Sequence, residues 1–129
     1  MCMRAFFGET IELEVRAEEA ANNEYPLAMD VVYVYDDELL AKLLAMTARE
    51  WFEQRQSLMN AADEGTFDTW SWEWTPGHDT TVALPIRSSV AGAVVFVNYF
   101  SSGQHRARID PGRDARIELG FDRFTVAPL

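Results

Sequence analysis

The architecture of the chain follows from residues 27–36, which read Leu-Ala-Met-Asp-Val-Val-Tyr-Val-Tyr-Asp. Residues 31–34 form a continuous run of strong β-formers, and such a run indicates a strand that is covered on both faces. The run stops at Asp36-Asp37, where either aspartate is a good helix N-cap. We therefore predict a doubly covered strand that passes directly into a helical segment.

The helical segment is predicted to extend from residue 37 to about residue 60. Side chains on one of its faces recur mostly every three or four residues. These are Leu40, Leu43, Leu44, Thr47, Trp51, Gln54 and Leu58. A stripe of Leu and Trp needs burial, so we expect it to pack on the sheet rather than to bind a cofactor.

Short strands are predicted on both sides of the helical segment. Residues 11–16 alternate apolar and charged side chains, which is typical of a strand with one wet face. Residues 92–100 are the most hydrophobic stretch, so we place this strand centrally. The remaining strands are predicted at residues 67–75, 81–86, 105–110, 115–119 and 123–126. Seven to eight strands at this spacing predict a mainly β fold, an antiparallel β-sandwich with a helical insertion after the second strand.

The length and the single cysteine limit the organisation of the chain. Its 129 residues fit one domain, which we assign to residues 11–129, with residues 1–10 as an N-terminal tether. Cys2 is the only cysteine, so an intrachain disulfide is excluded. A cysteine beside an initiator Met is what remains when a coding sequence is cut at the acylated cysteine of a lipoprotein. The alternative is an incidental cysteine in a cytoplasmic protein.

The net charge of −10 bears on the class of partner. It argues against nucleic acid, whose phosphates need a Lys and Arg footprint, and against electrostatic docking on anionic lipids. The charge is uneven, since residues 1–86 carry 17 acidic and 5 basic side chains. An acidic face of this kind could steer a basic partner, and a plain solvated surface is the alternative.

Catalytic and metal-binding motifs are not found in the sequence. His78 and His105 are the two histidines, and with Cys2 they lie too far apart in sequence to suggest a zinc site. The acidic clusters at 36–38 and 63–64 could hold a cation weakly, but helix caps and polar turns explain them better. We expect no enzyme, no cofactor and no metal. The alternative is a small enzyme. Its catalytic groups would be His105 beside a carboxylate, or Asp68 paired with Glu73 as acid and base.

Three tryptophans alternate along residues 67–75. Trp70, Trp72 and Trp74 lie on one face of this strand, because side chains alternate with period 2. We expect them to pack on the helical segment through Leu44 or Trp51. The alternative is an exposed platform that binds a ligand such as a carbohydrate.

The order of these parts resembles the type VI secretion outer-membrane lipoprotein family (TssJ type). The matching features are Cys2, the strand at 11–15, Asn22-Asn23 through Pro26, the strand at 31–35, the helical segment 39–58, the turn Pro76-Gly77 and the central strand at 94–99. The resemblance spans nearly the whole chain. It implies a transthyretin-like β-sandwich with an added helical piece, and a structural rather than catalytic protein.

The resemblance also implies a location and a partner. It implies a lipid anchor on Cys2 at the periplasmic face of the outer membrane, since Met3 is not the aspartate that retains lipoproteins in the inner membrane. In the family, the loop between the first two strands binds the periplasmic part of an inner-membrane secretion component. Here that loop is residues 17–25, with Glu18, Glu19, Asn22, Asn23, Glu24 and Tyr25 as candidate contacts. Its acidic and aromatic side chains fit a docking role, and a solvated connection is the alternative.

Overall fold

The fold is described for residues 9–63 and 65–129 by a computed structural model. Its strands are β1 (Thr10–Ala17), β2 (Leu27–Val34), β3 (Phe67–Trp74), β4 (Asp79–Pro85), β5 (Gly92–Val97), β6 (Arg106–Ile109), β7 (Ala115–Leu119) and β8 (Phe124–Pro128). Its helices are α1 (Asp37–Leu44) and α2 (Ala48–Ala61), and a short 3-10 turn covers Ala21–Glu24. Residues 1–8, which include Cys2, lie outside the described residues.

The strands form two four-stranded sheets, in the orders β4-β1-β7-β8 and β3-β2-β5-β6. A common apolar core lies between them, so the predicted β-sandwich with a helical insertion after the second strand is confirmed. One pairing departs from the antiparallel prediction, because β1 and β7 run parallel with Leu13 opposite Ala115. These two strands are joined through the whole second sheet, and such a long connection permits a parallel pair where a hairpin would not.

Strand β2 is buried on both faces, as predicted, and β5 lies beside it in the interior of its sheet. One face of β2, which includes Val31 and Tyr33, points into the core between the sheets. The other face, with Val32 and Val34, points into a second core beneath the helices. The helical insertion is therefore what makes a doubly covered strand possible in this sandwich.

The insertion consists of two helices, so the prediction of one continuous helix is wrong. Thr47 begins α2 as its N-cap: the Glu50 amide donates to the Thr47 hydroxyl at 3.1 Å and the Thr47 amide donates to the Glu50 carboxylate at 2.8 Å. This reciprocal cap satisfies donors that a helix start otherwise leaves unpaired. Periodicity missed the break because the apolar side chains before and after it, such as Leu43 and Trp51, face the same core.

The three tryptophans of β3 do not pack on the helices, which corrects that expectation. Trp70, Trp72 and Trp74 contact the core between the sheets, where the rings of Trp72 and Trp74 stack with centroids 5.9 Å apart. Phe67 lies on the opposite face of β3, and its side chain packs against the helical core. Trp74 is buried and Trp70 and Trp72 are half-buried, so the three rings do not form a fully open platform for a ligand such as a carbohydrate.

The first strand differs slightly from its predicted bounds. Strand β1 starts at Thr10 rather than residue 11, and the Glu9 carbonyl accepts a hydrogen bond from the Ile86 amide at 2.8 Å. Within the part of the chain that the structure describes, no helix is long and apolar enough to cross a membrane.

Candidate partner-binding surface

The β1–β2 loop has an unusual backbone. Asn22, Asn23 and Glu24 all have positive φ angles, of 48°, 53° and 70°. Asparagine tolerates this left-handed region better than most residues, whereas for glutamate it is a strained conformation. Such strain persists only where surrounding contacts enforce it, so the shape of this loop is imposed by its neighbours.

Asn22 supplies those contacts. It is 3% exposed, and its amide donates to the Phe121 carbonyl at 3.0 Å. Its side-chain Oδ1 accepts from the Phe100 amide at 2.9 Å, and its Nδ2 donates to the Pro26 carbonyl at 3.2 Å. Its own carbonyl accepts from the Tyr25 amide at 3.0 Å. One buried asparagine thus joins the β1–β2 loop to the loops that follow β5 and β7.

The other five candidate residues of the loop are exposed. Glu18, Glu19, Asn23, Glu24 and Tyr25 all face solvent, and the Tyr25 side chain is 55% exposed. Asn22 is therefore placed as a residue that positions the loop, while the other five stay candidates for contact with a partner.

Two exposed aromatic residues accompany Tyr25. Phe100 is 64% exposed, and its ring lies edge-on to that of Tyr25 at a centroid distance of 5.1 Å. Phe121 is 56% exposed in the β7–β8 loop. Sequence reasoning missed both. The sequence feature that could have indicated them is an aromatic residue next to turn residues. Phe100 precedes Ser101-Ser102-Gly103, and Phe121 follows Gly120.

Tyr99 fixes two of these loops to one another. Its buried hydroxyl lies 3.1 Å from the Gly120 carbonyl and 2.9 Å from the Arg123 carbonyl. Burial raises the pKa of this phenol well above its ordinary value, and the carboxylates of Glu18 and Asp122 add to the rise. The phenol therefore remains a neutral hydrogen-bond donor across the physiological range.

The arrangement of His105 does not favour the enzyme hypothesis. Its Nε2 lies 3.0 Å from the Ser101 carbonyl, and its ring packs on Tyr99 at 4.7 Å. Among the described residues no carboxylate forms a hydrogen bond with it. Asp68 and Glu73, an odd number of residues apart on β3, point to opposite faces, so they form no acid–base pair.

One residue of the acidic cluster at 36–38 has a structural role. Asp36 caps α1, with its carboxylate accepting from the Leu39 amide at 2.8 Å. No group of three or more His, Cys, Asp or Glu side chains that could hold a metal occurs within residues 9–63 and 65–129.

Comparison with known proteins gives matches in structure but not in sequence. No family model and no curated protein matches the chain. A membrane-bound type VI secretion component, Lip from Serratia marcescens, matches with a TM-score of 0.72 and 13% identity, over 95% of this chain and 98% of that one. The T6SS lipoprotein TssJ1 from Pseudomonas aeruginosa matches with a TM-score of 0.69 and 11% identity, over 95% and 97%.

A third structure, of a type VI membrane complex, matches with a TM-score of 0.70 and 16% identity, over 93% of this chain and 98% of that one. The chain has the fold of the type VI secretion lipoproteins. The resemblance in the order of sequence motifs is thereby confirmed at the level of the fold.

Proposed function

We propose that the chain is a non-enzymatic structural lipoprotein of a bacterial type VI-like secretion envelope complex. It anchors the complex to the periplasmic face of the outer membrane through lipid on Cys2, and it binds the periplasmic part of an inner-membrane component. The observation that carries the proposal is the fold shared end to end with type VI secretion lipoproteins. The matches cover 95% of this chain and at least 97% of each of the two lipoproteins, so the likeness concerns the whole domain and not a common substructure.

The β1–β2 loop supports the partner-binding part of the proposal. Exposed Glu18, Glu19, Glu24 and Tyr25 combine negative charge with a large amphipathic ring. Charged groups around an aromatic side chain are typical of a binding surface, because charge guides the encounter and the ring supplies buried area. A partner with Lys and Arg side chains is expected.

Binding of the purified periplasmic domain of the inner-membrane component from the same host tests this role. Replacement of Glu18, Glu19 and Tyr25 by Ala is expected to weaken binding at least tenfold by surface plasmon resonance. A matched control removes two carboxylates at the start of α1 and one apolar side chain on α2, with Asp37, Glu38 and Met59 changed to Ala. Equal affinity of the two triple variants would contradict the loop assignment.

The anchor is tested separately in the native host. Mass spectrometry of the N-terminal peptide is expected to find acyl chains on Cys2, several of which are needed for stable anchoring. Cys2→Ser is expected to move the protein from the membrane fraction to the soluble fraction. An unmodified Cys2 in membrane-free protein would favour the cytoplasmic alternative.

A further inference from the structure

We infer that the docking surface is not the β1–β2 loop alone but a patch built from three loops and organised by Asn22. We define this three-loop patch by its exposed aromatic side chains, Tyr25, Phe100 and Phe121. The inference rests on the proposed function, because it takes the inner-membrane component as the occupant of the patch.

The first argument is exposure. Exposed apolar patches on soluble proteins mark interaction sites, and aromatic residues dominate the binding energy of protein interfaces. Tyr25, Phe100 and Phe121 are each more than half exposed, whereas the other aromatic side chains in residues 9–63 and 65–129 are at least partly buried. All three lie in loops whose backbones converge on one residue.

The second argument is preorganisation. Asn22 bonds to the backbone of Phe100 at 2.9 Å, of Phe121 at 3.0 Å and of Tyr25 at 3.0 Å. Loops held before binding lose less conformational entropy when the partner arrives, so affinity rises without a new contact. A buried asparagine in a left-handed conformation, with all of its polar groups used to hold three aromatic-bearing loops, is well suited to this task.

The third argument is charge, which identifies the occupant. The segments 18–25, 98–105 and 120–123 carry four carboxylates, Glu18, Glu19, Glu24 and Asp122, against one basic side chain, Arg123. Arg123 is itself 3.5 Å from the Asp122 carboxylate, and Arg49 of α2 donates to the Phe100 carbonyl at 3.3 Å, so the balance around the patch is four carboxylates to two guanidinium groups. The patch therefore fits a protein surface with aliphatic side chains surrounded by Lys and Arg. It does not fit anionic lipid, and a chain of net charge −10 repels a second copy.

The test uses the full chain and the purified periplasmic domain of the inner-membrane component as the probe. Phe100→Ala and Phe121→Ala are each expected to weaken binding at least tenfold. Met59→Ala and Ile86→Ala, which shorten exposed apolar side chains outside the patch, are expected to change binding less than twofold. Circular dichroism melting curves verify that each variant is folded.

Asn22 is tested with a neighbouring control. Asn22→Gly keeps the left-handed backbone accessible but removes both side-chain hydrogen bonds, and we expect about a tenfold loss of affinity. Asn23→Gly makes the same change at an exposed left-handed residue, and we expect less than a twofold loss. If Asn22 acts by positioning Phe100, the effects of Asn22→Gly and Phe100→Ala are less than additive in the double variant, whereas a general loss of stability gives additive effects.

The outcomes separate this inference from the proposed function. If the Phe100 and Phe121 variants bind like the unmodified chain while the Glu18, Glu19 and Tyr25 variant does not, the three-loop patch is refuted and the proposed function stands. If the unmodified chain does not bind the domain at all, the proposed function fails. If the two Phe variants instead reduce binding to anionic vesicles or self-association measured by light scattering, the assigned occupant is wrong.

Discussion

The two faces of the β3-β2-β5-β6 sheet are buried in different ways. The inner face meets the second sheet through an almost wholly apolar layer to which β1, β2, β5 and β7 all contribute. The outer face meets α1 and α2 through a smaller layer that contains a buried charge, Asp30, which is 1% exposed. The first layer is held by apolar contacts, whereas the second combines apolar contacts with one buried polar cluster, which we call the polar anchor and define as Asp30, Trp51 and Arg55.

The polar anchor links the sheet to α2. The Asp30 Oδ2 accepts a hydrogen bond from the Trp51 indole at 2.8 Å and from the Arg55 guanidinium at 2.7 Å. The indole of Trp51 also stacks on Phe96 of β5, with centroids 5.1 Å apart and the planes within 9° of parallel. Because hydrogen bonds are directional, these two bonds specify the position of α2 on the sheet more strictly than apolar contacts alone.

The largest expected effect compares one leucine from each layer. Leu13 lies between the sheets and Leu43 lies under the helices, and both are fully buried. Leu13→Ala is expected to cost about 4 kcal/mol and Leu43→Ala about 2 kcal/mol, because a helix can shift to fill part of the cavity whereas two paired sheets cannot. Urea denaturation measures both values. Equal costs would show that the helical layer is as rigid as the inter-sheet layer.

The next effect concerns the anchor itself. Asp30→Ala leaves the buried indole of Trp51 without its acceptor and is expected to cost about 2 kcal/mol. Arg55→Ala is the matched change on the other side of the ion pair and is expected to cost about 3 kcal/mol, because it leaves the Asp30 carboxylate, which is 1% exposed, buried without its counter-charge. If the Arg55 variant proved the more stable of the two, the anchor would be the indole bond rather than the ion pair.

The sequence predicts the two layers unequally. The alternation of residues 11–16 and the continuous run of residues 31–34 predict the inter-sheet layer and the need for a cover on the other face. Nothing near Asp30 in sequence indicates that its partners are Trp51 and Arg55, since a buried charge is recognised only when its neighbours in space are known. The break before Thr47 is also hidden in the sequence. The apolar residues of α1 and α2 face the same core, so the helical periodicity continues across the break.

The sequence predicts only one of the three loops of the candidate site, the β1–β2 loop. The acidic residues and Tyr25 follow from composition and from the family resemblance. The role of Asn22 does not, because its side chain bonds to the amide of Phe100, 78 residues away in the chain. Contacts at such separation are decided by the packing of the two sheets, which no local pattern reports.

A smaller effect is expected where α1 approaches the sheet. A Cβ added to Gly92 at the start of β5 would lie 2.8 Å from the Leu40 Cδ2, so the Leu40 side chain must move. Because only the end of a side chain is displaced, Gly92→Ala is expected to cost about 1 kcal/mol. Hydrogen exchange is expected to increase in α1 and not in β1. Faster exchange throughout the sandwich would mean that the two layers do not respond independently.

The smallest effect at neutral pH is expected at Tyr33, on the inner face of β2. Its hydroxyl is buried, and within residues 9–63 and 65–129 it has no hydrogen-bond partner. Because an unpaired buried hydroxyl gives little stability, Tyr33→Phe is expected to change the free energy of unfolding at pH 7 by less than about 1 kcal/mol, in the stabilising direction.

Alkaline pH is expected to enlarge this difference. Burial, with a smaller contribution from Tyr35, raises the pKa of Tyr33 from 10.0 to about 12. The folded state then retains a proton that the unfolded state loses, so the contribution of Tyr33 is constant below pH 10 and falls between pH 10 and 12. The Phe variant lacks this loss, so its advantage in urea denaturation widens above pH 10. A constant gap between the two proteins from pH 7 to 11 would mean that water reaches the Tyr33 hydroxyl, and that the inner layer is not dry at this position.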